Sequence, residues 1–171
     1  MKYYSLSYIL PDNIHCLILL IFEISMAKEL FTIGYEGKSL DGFVTELKKF
    51  AISCLIDVRE IPFSRKRGFS KSALAERLNK ENIRYVHLRE LGSPKPVRES
   101  LKASHDYLTF FRKMDKYLDT KKETIENAYS YVTYNTCCLM CFERLAAECH
   151  RKIVAQKIKA RDGNGLQIKN V

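Results

Sequence analysis

The chain has 171 residues, 46% hydrophobic and 29% charged, with a net charge of +9 at pH 7. That length and balance predict one soluble domain able to bury its own core, and they exclude a scaffold that depends on disulfide staples. The basic surplus favours anionic partners: phosphates, nucleic acid or an acidic membrane surface.

Residues 1–25 stand apart from the rest of the chain. "IHCLILLIFEI" is apolar but far shorter than the roughly 20 residues that cross a bilayer. Only Lys2 precedes it as a cation, Glu23 lies inside it, and no small-residue cleavage site comes after it, which makes a poor signal peptide. "MAKELFTIGYEG" opens like a cytosolic start, so translation is expected to begin at Met26. Residues 1–25 are then an upstream extension, or else an added helix packed on a domain at 26–171. A chain starting at Met26 is predicted to melt where the full chain does, and insolubility of that shorter chain would make the extension part of the core.

Leu30, Phe31 and Ile33 form a first strand running into Gly34 and Gly37. "SLDGFVTELKKF" predicts a helix capped by Ser39 or Asp41, with Leu40, Phe43, Val44, Leu47 and Phe50 at helical spacing. "ISCLIDVR" is a nearly continuous apolar run, the mark of a strand buried on both faces. A basic loop comes next at 59–69, then a helix capped by Ser70 and a third strand, "IRYVHL". "RELGSPKPVRES" is punctuated by Gly92, Pro94 and Pro96 and is expected to be a loop. Residues 105–134 predict two helices, the second starting near Lys122. "TCCLMCF" predicts a fourth strand, 146–160 a helix, and "LQIKNV" a last strand. Strands alternating with helices predict an α/β fold: a mostly parallel sheet of about five strands, with helices on both faces. Four of the six cysteines, Cys137, Cys138, Cys141 and Cys149, crowd one segment without framework spacing, as in a cytoplasmic protein with reduced thiols.

Ligands of open parallel sheets bind at the carboxyl ends of the strands. Tyr35 and Glu36 follow the first strand, Asp57 and Arg59 the second, Arg89 and Glu90 the third, and Cys141 and Glu143 the fourth. Parallel strands bring all of these to one edge.

"TIGYEGKSLDGF", "LIDVREIPFSRKRGFSKSAL", "IRYVHLRELGS" and "CLMCFERLAAECHRKIVA" resemble, in this order, segments of the bacterial and archaeal family catalogued as domain of unknown function 488. The resemblance spans roughly residues 30–171 and centres on a cysteine, a glutamate two residues on, and a Cys-His-Arg triplet: Cys141, Glu143, Cys149, His150 and Arg151. The family's usual double glycine in the third loop is Gly92-Ser93 here. The resemblance implies a fold and the place of a site, and it brings no activity with it.

Each candidate residue has a plain structural alternative. Cys141 at a strand end reads best as a small buried hydrophobe. Glu143, just past a buried strand, suits acid/base work or ligand binding. Cys149, in the first turn of the expected helix, is a nucleophile or redox thiol, or a packed thiol. His150 is a general base or a carbonyl-bonded ring. Arg151 is a fork for phosphate or carboxylate, or a structural partner of Glu143, Glu148 or Asp57. Arg59 is an anion site or the salt-bridge partner of Asp57. Tyr35, Glu36 and the flanking glycines offer backbone N–H groups to a ligand, and the loop "FSRKRGF", with Arg65, suits stacking plus phosphate contact or is simply a solvated basic loop. Cys138 and Cys141 have Cys-x-x-Cys spacing, with Cys149 and His150 close behind, as in a zinc set. In an extended strand, however, Cys138 and Cys141 point to opposite faces, so no metal is assigned.

The expectation is an enzyme, or a sensor derived from one, for a phosphate-bearing ligand such as a nucleotide or nucleic-acid end. Arg59, Arg65, Arg151 and Tyr35 would hold the anion, and Glu143, Cys149 and His150 would do the chemistry. No cofactor is named and no membrane partner is expected. The rivals are a non-catalytic nucleic-acid-binding module and a zinc or redox protein.

Overall fold

In the computed structural model, which describes residues 28–163 and 165–171, five apolar runs become strands and six amphipathic stretches become helices. In chain order they are β1 (Glu29–Gly34), α1 (Leu40–Lys49), β2 (Cys54–Asp57), α2 (Lys71–Asn79), β3 (Arg84–His87), α3 (Lys95–Ser104), α4 (Tyr107–Asp119), α5 (Lys122–Tyr134), β4 (Cys137–Cys141), α6 (Arg151–Arg161) and β5 (Gln167–Asn170). Single 3-10 turns lie at Arg89–Leu91 and Ala146–Glu148. The strands form one sheet in the order β3-β2-β4-β1-β5. Every pairing is parallel. The α/β expectation therefore holds, with an all-parallel sheet.

Side chains alternate along the central strands and feed two cores. Leu30, Cys54, Ile56, Cys137, Leu139 and Cys141 face one layer, where Phe110, Met114 and Leu118 of α4, Ile125 and Val132 of α5, and Val154 and Ile158 of α6 cover them. Phe31, Ile33, Leu55, Cys138 and Met140 face the other, under Phe43, Val44 and Leu47 of α1 and Leu74 and Leu78 of α2. The Ser39 hydroxyl caps α1 by accepting from the Gly42 N–H at 3.1 Å, which decides the cap in its favour over Asp41.

Two expectations are corrected. Residues 95–104 form α3 rather than loop. Pro96 sits in its first turn, where the N–H that proline lacks would have had no intrahelical partner, so the prolines mark a helix start. The helix expected from residue 146 begins only at Arg151. The 3-10 turn at 146–148 ends at Cys149, whose backbone is extended (φ −124°, ψ 139°). That break lets the thiol reach back toward β4. The expectation for residues 1–25 lies outside the described residues. Among the described residues no helix is long and apolar enough to cross a membrane.

Candidate functional site

Adjacent parallel strands β2 and β4, with Asp57 opposite Met140, bring their carboxyl ends to one edge. The chain leaves β2 through a buried ion pair. Asp57, fully buried, accepts from the Arg59 backbone N–H at 3.0 Å, from Arg59 Nε at 2.9 and 3.1 Å, from Arg59 Nη2 at 2.6 Å and from the Tyr85 hydroxyl at 2.6 Å. Arg59 Nη1 donates onward to the Tyr35 hydroxyl (3.0 Å) and the Phe69 carbonyl (2.9 Å). Burial works against the Arg59 charge, but Asp57 and Tyr35 outweigh it and hold the guanidinium above its ordinary pKa. Tyr35 stacks on Phe69 with ring centroids 4.4 Å apart. These groups form one rigid wall of the edge.

β4 ends at Cys141, and its chain continues into Glu143. The Cys141 and Cys149 thiols both donate to one carboxylate oxygen, Glu143 Oε2, at 3.1 and 3.0 Å. His150 Nδ1 lies 3.8 Å from the first sulfur and 3.9 Å from the second. The other ring nitrogen, Nε2, is 2.8 Å from the Val58 carbonyl. A carbonyl only accepts, so Nε2 carries a proton and Nδ1 is the nitrogen turned toward the sulfurs. Arg151, 1% exposed, locks the segment from beneath. Its guanidinium donates to the carbonyls of Glu143 and Arg144 (the latter at 2.9 Å) and to Thr32 Oγ1 of β1 at 3.3 Å.

The neighbours reshape every proton equilibrium in this cluster. Burial resists a charge on Cys149, yet Cys141, His150 and Arg151 together bring its thiol well below the ordinary value. The hydrogen bond with Cys149, and then burial, push Cys141 well up. Burial and the Cys149 charge raise Glu143. Burial opposes the His150 charge, and the Cys149 thiolate more than restores it.

Above the cluster opens a cavity of about 710 Å³. Its floor includes Cys141, Glu143 and His150 and its wall includes Tyr35 and Arg59. Arg65 and Lys66 of the basic loop, Arg98 and Lys102 of α3, and the rings of Phe63, Phe110 and Phe142 also line it, together with the carboxylates of Glu60 and Glu148. Phe63 is 71% exposed. Gly92 backs onto the neighbouring loop: a Cβ there would stand 2.1 Å from the Glu60 nitrogen. This contact carries the next residue, Ser93, into the cavity lining, where its Oγ is buried with no hydrogen-bond partner.

Tyr35, Arg59, Arg65, Glu143 and His150 thus share one cavity. Cys149 lies behind it, bonded to Glu143, and Arg151 lies deeper still, with its donors engaged by the protein. The helix start near Cys149 does not offer free N–H groups to an anion. Those of Lys152, Ile153 and Val154 are taken by the carbonyls of Cys149 and His150, and that of Arg151 points to the Cys149 sulfur at 3.5 Å. Sequence reasoning groups Cys141 with Glu143 in the family signature yet reads it as a buried hydrophobe, whereas its thiol bonds directly to the Glu143 carboxylate. The same reasoning misses Arg98 and Lys102 because it reads 89–100 as loop and assigns no element to 101–104, and outside a helix a spacing of four means nothing.

The family model described as "Domain of unknown function DUF488" matches residues 39–158. Neither the curated proteins nor the solved structures give a match.

Proposed function

The chain belongs to the DUF488 family, and from its cavity we propose that it is an enzyme acting on a phosphate-bearing ligand with an aromatic ring, a nucleotide or a nucleic-acid end. The observation that carries this is the cavity's division into two chemically distinct parts. Its floor holds a carboxylate and an imidazole in mutual contact with two thiols, the kind of set that moves protons during a reaction. Its rim offers cations next to exposed rings. Among the described residues Arg65 and Lys102 have no ion-pair partner, so their charge is available to phosphate. Phe63 and Phe142 present faces on which a base can stack. Arg59 and Tyr35 serve as the fixed wall, and Arg151 positions the loop of Glu143. Glu143 is the acid/base, with His150 and Cys149 beside it. The unpartnered Ser93 hydroxyl adds a polar group that a ligand would satisfy.

Mononucleotides and short oligonucleotides, screened by thermal shift and then by turnover, test this. Arg65→Ala combined with Lys102→Ala should weaken binding at least about tenfold and flatten its salt dependence. Glu143→Gln should cut turnover by about 10²–10⁴ while leaving affinity within a few-fold. Binding without turnover in the wild type would favour the non-catalytic module. Absence of any binding would remove the phosphate ligand altogether.

A further inference from the structure

We propose that Cys141, Glu143, Cys149 and His150 form a zinc site, with Sγ, Oε2, Sγ and Nδ1 as the four donors. The ion would bind whether or not the cavity takes a phosphate-bearing ligand, and in the zinc-bound chain Glu143 is a metal ligand, so the acid/base role proposed for it belongs to the metal-free chain.

The four donor atoms all lie within 4.8 Å of one another. Zinc bonds of about 2.3 Å to sulfur and about 2.0–2.2 Å to nitrogen and oxygen define a tetrahedron with edges of about 3.4–3.8 Å. The corresponding separations here are 3.0 and 3.1 Å between the sulfurs and Oε2, and 3.8 and 3.9 Å between the sulfurs and Nδ1. The cluster is therefore close to the size of an occupied site, and the two thiol protons stand where the cation's charge would be. Two thiolates, an imidazole and a carboxylate suit zinc, a borderline-soft ion without geometric demands of its own.

The surroundings supply what a site needs beyond its donors. A ligating histidine usually fixes its ring by donating the other N–H to a carbonyl or carboxylate, and His150 Nε2 does so to Val58. The Arg151 backbone N–H points at the Cys149 sulfur, a contact that stabilises a thiolate. The Arg151 guanidinium pins the Glu143 carbonyl, which fixes the loop from which the carboxylate reaches in. Cys141, Glu143 and His150 line the cavity, so an ion has a path from solvent. Cys138, which sequence spacing would pair with Cys141, packs in the opposite core layer. The set is thus completed across the chain by Glu143, Cys149 and His150. Binding would release the protons held by the two thiols.

The full chain, purified under reducing conditions without chelator, should contain one zinc per chain by elemental analysis. After stripping, it should take up Co²⁺ with thiolate-to-cobalt charge-transfer bands and the visible bands of a tetrahedral ion. Cys149→Ser and His150→Ala should each lower zinc affinity, measured against a chromogenic chelator, by about 100-fold or more. Cys138→Ser should keep the wild-type stoichiometry. Reduced, folded wild-type protein that fails to bind zinc at micromolar concentration would overturn the proposal. So would a cobalt complex without a thiolate band, or a native Cys141–Cys149 disulfide in the freshly isolated chain. None of these readouts involves nucleotide, so a failed nucleotide screen leaves this test standing, and a metal-free protein leaves the nucleotide screen standing.

Discussion

Asp57→Ala will destabilise the fold by about 3–5 kcal/mol, because it strands the Arg59 guanidinium in the interior without its counter-charge. For a domain of this size that is a fall in melting temperature of roughly 10 °C or more. The carboxylate is fully buried. It accepts from the backbone and side chain of Arg59 and from Tyr85. Burial, and after it the Asp57 charge, push the Tyr85 hydroxyl up, so it stays a neutral donor that loses its acceptor in the variant. The desolvation cost of the pair is already met in the native protein, and it goes uncompensated when one partner is removed. Asp57→Leu combined with Arg59→Met should therefore be less destabilised than the sum of the two single changes. Urea unfolding of the four proteins gives the coupling energy. Additive losses would mean that the ion pair contributes only as packing volume.

Gly34→Ala should displace the loop that carries Glu143 and damage the site. A Cβ at this position would lie 1.9 Å from the Glu143 carbonyl oxygen and 2.6 Å from its carbon. Both are backbone atoms, so no side chain can rotate away. Gly34 pairs with Cys141 across β1 and β4, and Arg151 holds the Glu143 carbonyl from the other side. The loop is caught between the two and must move by about the length of a bond. Overpacking of this kind costs about 3 kcal/mol, and a shift of roughly 1 Å in a functional group costs about 100-fold in rate. Thermal unfolding and turnover on whichever nucleotide the screen identifies measure the two effects. Wild-type turnover in Gly34→Ala would show that Glu143 is positioned by something other than this contact.

The sheet is readable from the chain because its strands are short, apolar and separated by capped helices. Leu30–Ile33, Cys54–Ile56 and Cys137–Met140 are buried on both faces, and only parallel strands between helix layers make such runs continuous. Ser39 and Ser70 mark helix starts by the residue type that occupies caps. The errors have physical causes. Pro94 and Pro96 look like loop punctuation, but a proline in a first turn costs nothing, so the same residues open α3. The stretch from Ala146 to His150 carries helical spacing that tertiary contacts override: Cys149 takes an extended backbone, and its sulfur joins Cys141 and Glu143. The convergence of Arg59 and Glu143 on one cavity comes from strand direction, and His150 joins them through its bond to the Val58 carbonyl. The burial of Arg151 does not come from strand direction, since its partners are two main-chain carbonyls and a threonine on β1, and nothing in a side-chain pattern marks a carbonyl as an acceptor.

The strand order also governs how the chain is born. β1 and β2 are made first, but they do not touch each other: β4 lies between them, with Leu30 and Cys54 both opposite Cys137. Until the ribosome has delivered residues 137–141, neither strand has its central neighbour. β2 can meanwhile pair only with β3, and β1 has no sheet partner, since β5 comes later still. The emerging polypeptide therefore carries an unpaired apolar strand through most of its synthesis, an edge open to association with other chains. Completion of the sheet is a late event, tied to the same segment that delivers Cys141 and Glu143. A truncated product lacking that segment has neither a continuous sheet nor the thiols and carboxylate of the site.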